Sequence, residues 1–144
     1  MSTTVSALDS ARTELASFGQ RLIGPEDPRY DEARALFNAM IDKRPALIAQ
    51  CATAEDVAAA IRFAREHDLP LAVRGGGHNG AGLGSVDDGV VIDLSPMKSV
   101  SVDAATRTVR VGGGCVWGEV DAATQPHGLA VPTGIISPTA GCRS

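Results

Sequence analysis

His78 is the side chain in this sequence best placed to do chemistry. It stands in "LAVRGGGHNGAGLG" (71–84), after Arg74 and among Gly75, Gly76, Gly77, Gly80, Gly82 and Gly84. A neutral imidazole is a nucleophile and changes charge near neutral pH. Glycines leave the backbone bare, so successive peptide N–H groups can approach a ligand closely and form a concavity that suits phosphate oxygens. Arg74 adds a fixed positive charge beside that concavity. The same composition also describes a glycine-rich turn that binds nothing.

Two familiar nucleotide loops do not fit. Residues 75–80, "GGGHNG", satisfy G-x-G-x-x-G after an apolar run, but "AGLGSVDDG" downstream has no helical period. A Rossmann loop needs a helix to open there, so that the diphosphate meets its N-terminus. No Gly-Lys-Ser/Thr triplet of a Walker A loop occurs anywhere. His67 and His127 each sit near an expected helix C-terminus, where a histidine interacts favourably with the dipole. Cys51, Cys115 and Cys142 are odd in number and widely spaced without a C-x-x-C pair, so they point to neither a disulfide framework nor zinc. No metal site is expected.

Bulk properties narrow the class further. The chain has 144 residues, 44% of them apolar, with a net charge of −4 and its basic residues scattered. That pattern gives no electrostatic footprint for nucleic acid. The longest apolar stretches fall well short of a membrane span, and Asp9 interrupts the N-terminal segment where a signal peptide would be apolar. A cytoplasmic protein without nucleic-acid or membrane partners is expected.

The elements that must position His78 follow from periodicity. Residues 1–45 read as a lead-in, with a helix from Asp31 to about Asp42 whose Ala35, Leu36, Ala39 and Met40 share a face. "ALIAQC" (46–51) reads as a strand. Thr53, with Asp56 three residues on, makes a capping-box start to a helix through His67. Leu71–Val73 then delivers the chain into the glycine stretch and completes a βαβ unit. Short valine-rich strands follow at 90–94, 99–103 and 108–112; their brief connections favour an antiparallel meander. A helix over 116–124 and a last strand at 129–131 close the pattern. The fold class is α+β, with helices on the faces of the sheet.

"RGGGHNGAG" (74–82), together with "VVIDLSPMKSVSVDAATRTVRVGGGCVWGEVDAATQPHGLAVPTGIISPTAG" (90–141), closely resembles the bacterial FAD-binding oxidoreductases of the berberine bridge enzyme-like group. These belong to the vanillyl-alcohol oxidase superfamily, with its PCMH-type flavin domain. The similarity runs from about Leu22 to Gly141. It implies an FAD-binding PCMH-type domain over 46–144, incomplete and without its substrate domain. It further implies that Arg74, Gly75, Gly76, Gly77, His78 and Asn79 wrap the FAD pyrophosphate, and that His78 bonds covalently to the flavin 8α-methyl carbon. Gly82, Pro132, Thr133, Gly134, Ser137, Thr139 and Gly141 would line the remainder of the cofactor site.

By the same resemblance the whole protein would take hydride from a small organic substrate and pass electrons to oxygen. Plant and fungal relatives carry a second flavin-linking Cys where this chain has Ile136, so linkage through His78 alone is expected. The resemblance assigns no catalytic acid or base to this portion. The alternative is a truncated, non-catalytic flavin-binding module or a degenerate remnant.

Overall fold

The structure, a computed structural model, describes residues 3–132 and 134. Its main sheet has four strands: β1 (Leu22–Ile23), β2 (Leu47–Gln50), β3 (Leu71–Arg74) and β4 (Val90–Asp93), in the order β1-β2-β4-β3. β1 runs antiparallel to β2, whereas β2 and β3 both run parallel to β4. A separate hairpin pairs β5 (Val100–Asp103) with β6 (Thr108–Val111). The helices are α1 (Thr3–Glu14), α2 (Tyr30–Arg34), α3 (Ala54–Glu66) and α4 (Trp117–Thr124). This is the expected α+β class. Among the described residues no helix is long and apolar enough to cross a membrane.

Both faces of the main sheet are covered near its centre. On one face Ala60, Phe63 and Ala64 of α3 join Ala11, Leu15 and Phe18 over Leu47, Ala49, Val90 and Ile92. On the other, Ile23 and Tyr30 pack with Ile48, Ala72 and Val91. Every residue of β4 is buried, as the apolar run Val90–Ile92 leads one to expect of a central parallel strand, which has no solvent face to alternate with. Burying a side chain such as Phe63 or Ile92 contributes about 1.5–3 kcal/mol.

The expected antiparallel meander holds for β5 and β6 and is corrected for β4. β4 does not pair with β5; it inserts between the two strands of the βαβ unit. The links after β4 are indeed too short for a parallel crossover. The crossover lies before it, through residues 75–89, so the glycine stretch itself carries the chain from the end of β3 to the start of β4.

Two further expectations are also corrected. The helix expected over 31–42 ends at Arg34, because Ala35 turns extended (φ −59°, ψ 138°). Residues 35–44 instead form a strap whose backbone bonds go to the glycine stretch: Phe37 N–H donates to Gly77 O at 3.3 Å and Asp88 N–H to Arg44 O at 3.0 Å. Of the expected apolar face only Leu36 is buried, and Met40 is 92% exposed. Residues 129–131 form no strand: Gly128 ends the short 3-10 turn after α4 in the left-handed conformation, and Leu129 N–H bonds back to Thr124 O.

The start of α3 matches expectation. Asp56 N–H donates to Thr53 Oγ1 at 3.2 Å, while Asp56 Oδ2 accepts from the Ala52 and Thr53 N–H groups. The same oxygen accepts from the Arg21 guanidinium, and this bond chiefly holds the carboxyl below the usual range, helped by the backbone N–H donors against the opposing effect of burial. A depressed folded pKa stabilises the fold above the unfolded value near 4 and is lost as pH falls through the folded value. Asp56→Ala is therefore expected to cost about 1–2 kcal/mol at neutral pH. In urea unfolding, the difference from wild type should shrink as the pH is lowered below about 4. An equal cost at neutral and strongly acid pH would contradict this role.

Candidate functional site

The root of the glycine loop is a buried ion pair. Arg74 ends β3 and Asp93 ends β4, and the parallel register sets them side by side. Arg74 Nη2 donates to Asp93 Oδ2 at 3.1 Å and to Ala33 O, within α2, at 2.7 Å. The two side chains are only 8% and 6% exposed. Asp93 Oδ1 also accepts from Ser95 N–H, and Leu94 N–H donates to Arg74 O, so both strand ends are tied together. Arg74 Nη1 is buried with no partner among the described residues.

The loop folds around the Arg74 stem. A Cβ placed on Gly77 would meet Arg74 Cδ at 3.6 Å and Leu36 Cδ2 at 3.5 Å, and one on Gly84 would meet Arg74 Cγ at 3.6 Å. Gly77 has a φ of 70°, in the left-handed region that glycine enters without steric cost. Asn79 organises the turn that follows, its Oδ1 accepting from Ala81 and Leu83 N–H at 3.1 Å each. The strap holds the far side: Lys43 Nζ donates to Gly82 O at 3.0 Å and Ser85 O at 2.9 Å. Gly82 has a φ of 71°, and a Cβ there would lie 2.7 Å from Ile41 Cδ1.

This leaves an unused row of donors. The peptide N–H groups of residues 75–80 donate no hydrogen bond to any described residue, although the loop is fixed at both ends. Successive free amides in a glycine-rich turn form a concavity for an anion. His78 lies within that row, half-buried, its ring centroid 4.7 Å from that of Phe37. Neither imidazole nitrogen bonds to a described residue, so a ring nitrogen is free to react. The bare row, the orphaned Arg74 Nη1 beneath it and the free imidazole fit a diphosphate-bearing flavin cofactor.

Other expected residues are placed as follows. Arg74 is committed to Asp93 and Ala33, so its guanidinium lies beneath the loop. Pro132 and Gly134 are exposed on the segment after α4. Thr133, Ser137, Thr139 and Gly141 lie outside the described residues, as does Ile136. His67 Nε2 lies 2.9 Å from Glu14 Oε1 at the C-terminal end of α3. Cys51 and Cys115 are buried free thiols, and burial pushes the Cys51 thiol up to about 12. Hollows of about 430 Å³ beside α1 and about 470 Å³ beneath the hairpin lie away from the loop, which opens onto the surface.

Asp93, Lys43 and Phe37 were not singled out from the sequence as site residues. An aspartate closing the apolar run "VVID" was the available signal for the first, since a buried carboxylate requires a partner. Removing one member of a buried pair strands the other charge, so Asp93→Asn is expected to cost about 3–5 kcal/mol in urea unfolding. Adding Arg74→Met to that variant should recover much of the loss. Additive losses in the double variant would contradict the pairing.

Comparison with known proteins places this geometry in a family. The family described as FAD binding domain matches residues 45–142. (R)-6-hydroxynicotine oxidase of Paenarthrobacter nicotinovorans is 38% identical over 79% of this chain and 25% of its own length. An uncharacterised FAD-linked oxidoreductase of Bacillus subtilis is 33% identical over 81% of this chain and 26% of its own. The chain thus spans about a quarter of the length of these curated relatives. Among solved structures, 6-hydroxy-D-nicotine oxidase from Arthrobacter nicotinovorans superposes with a TM-score of 0.81 at 36% identity, over 84% of this chain and 27% of that one. A berberine bridge enzyme-like protein of Physcomitrella patens gives 0.82 at 26%, over 90% of this chain and 29% of that one. The chain belongs to the FAD-binding domain family of the FAD-linked oxidoreductases, and FAD is its cofactor.

Proposed function

We propose that residues 75–80 receive the FAD pyrophosphate and that His78 carries the flavin covalently, within an oxidoreductase that takes hydride from a small organic substrate. The observation that carries this is the row of unused amides with an unbonded imidazole in its midst. The diphosphate charge would meet N–H groups that bond to no described residue, so no such bond has to break on binding. Gly75, Gly76 and Gly77 let the diphosphate approach the backbone, and Asn79 holds the turn that ends the row. Gly82, under Lys43 and Ile41, keeps the strap against the loop.

His78 acts as the anchor. Its ring nitrogen bonds to the 8α-methyl carbon while the N–H proton and one methyl C–H are lost. When bound, FAD supplies a two-electron acceptor, both for that step and for substrate hydride, and molecular oxygen removes the electron pairs as hydrogen peroxide. Support for oxygen as acceptor comes from the relative whose name makes it an oxidase. Pro132, Thr133, Gly134, Ser137, Thr139 and Gly141 are proposed to complete the cofactor site. No residue of this chain is proposed as catalytic acid or base.

Acid precipitation of the FAD-reconstituted chain tests the linkage. A yellow pellet is expected from wild type and a colourless one from His78→Ala, with noncovalent FAD binding retained in that variant. A colourless wild-type pellet, or colour that survives in His78→Ala, would overturn it.

A further inference from the structure

We infer that Phe37 is a positioning residue for His78: its ring sets the plane of the imidazole that attacks the flavin. This rests on the covalent role of His78 proposed above. In most functional histidines, a hydrogen bond to one ring nitrogen fixes the orientation and leaves the other nitrogen to react. Among the described residues His78 has no such bond. What it has is the Phe37 ring, 4.7 Å between centroids and tilted by 40°. That is the range in which aromatic pairs attract beyond simple area burial.

Phe37 is held for this task from several sides. Its own N–H donates to Gly77 O, the carbonyl of the peptide that leads into His78. Leu36 before it is buried under Gly77, while Ile41 and Lys43 after it hold Gly82. The strap thereby registers the phenyl ring against the imidazole through the backbone of the loop. The ring adds little to the core, being 75% exposed. Its defined ring partner among the described residues is His78.

The positioned step is the attachment of His78 to the flavin. An N–C bond replaces the imidazole N–H and one C–H of the 8α-methyl, and oxygen takes the electron pair and two protons as peroxide. Attack needs the ring nitrogen aimed along one direction, so a freely rotating imidazole spends most of its time misaligned. Restricting that rotation raises the rate of attachment without changing how tightly FAD binds.

The test compares Phe37→Leu and Phe37→Trp with wild type and His78→Ala. Apoprotein is mixed with FAD in air, and covalent attachment is followed against FAD concentration. Phe37→Leu is expected to slow the limiting rate about 3- to 10-fold with an unchanged half-saturating FAD concentration, while Phe37→Trp restores the rate. In the apoprotein, the His78 ring-proton resonances should lose their ring-current shift in Phe37→Leu, with the melting temperature altered by no more than about 2 °C. A wild-type rate in Phe37→Leu alongside no attachment in His78→Ala overturns the role of Phe37 alone. A raised half-saturating concentration with an unchanged limiting rate also overturns it. Attachment that persists in His78→Ala overturns both assignments.

Discussion

A single buried charge pair, Arg74 with Asp93, fixes the geometry on which everything else depends. It joins the C-terminal ends of two neighbouring parallel strands at the point where the chain leaves the sheet for the loop. A guanidinium almost free of solvent contact is tolerable only beside a carboxylate, and the bond to Ala33 O draws α2 into the same junction. With that junction set, the loop has a post to wind around. Gly77 and Gly84 both lie against the arginine stem, and Gly77 does so in a left-handed turn that favours glycine.

Rigidity at the root and openness at the tip belong together. A loop that satisfied its own amides would have nothing to offer an anion, and one without anchors would have to order itself on binding. Here the bonds are concentrated at Asn79, Gly82 and Ser85 on the far side and at Arg74 at the root, leaving the N–H groups of 75–80 without a partner among the described residues. The strap from Ala35 to Arg44 closes the arrangement by crossing the loop at Gly77, Gly82 and Ser85. It also brings a phenyl ring to the imidazole.

Much of this was legible in the sequence, and what was not has a common cause. The helix after Thr53 announced itself by its cap, and the strands at 47–50, 71–74 and 90–93 by their apolar runs, because those signals are local. The glycine run around His78 was legible by composition. Strand order was not: β4 pairs with strands that precede it, and nothing in "VVID" itself says which neighbours it has. The helical period over 31–42 lost to backbone bonds with a loop about forty residues away, which no window centred on Leu36 can see. The bond between Arg74 and Asp93 was not legible either, because the two stand on neighbouring strands nineteen residues apart. A resemblance carried by motifs says little of the scaffold beneath them.

The most direct measurement is a titration of the isotope-labelled chain with ADP, which bears a diphosphate and no flavin, followed through the backbone amide resonances. The account predicts saturable shifts concentrated on residues 75–80, with β5 and β6 unmoved. Shifts that avoid those amides, or that spread evenly over the chain, would contradict it.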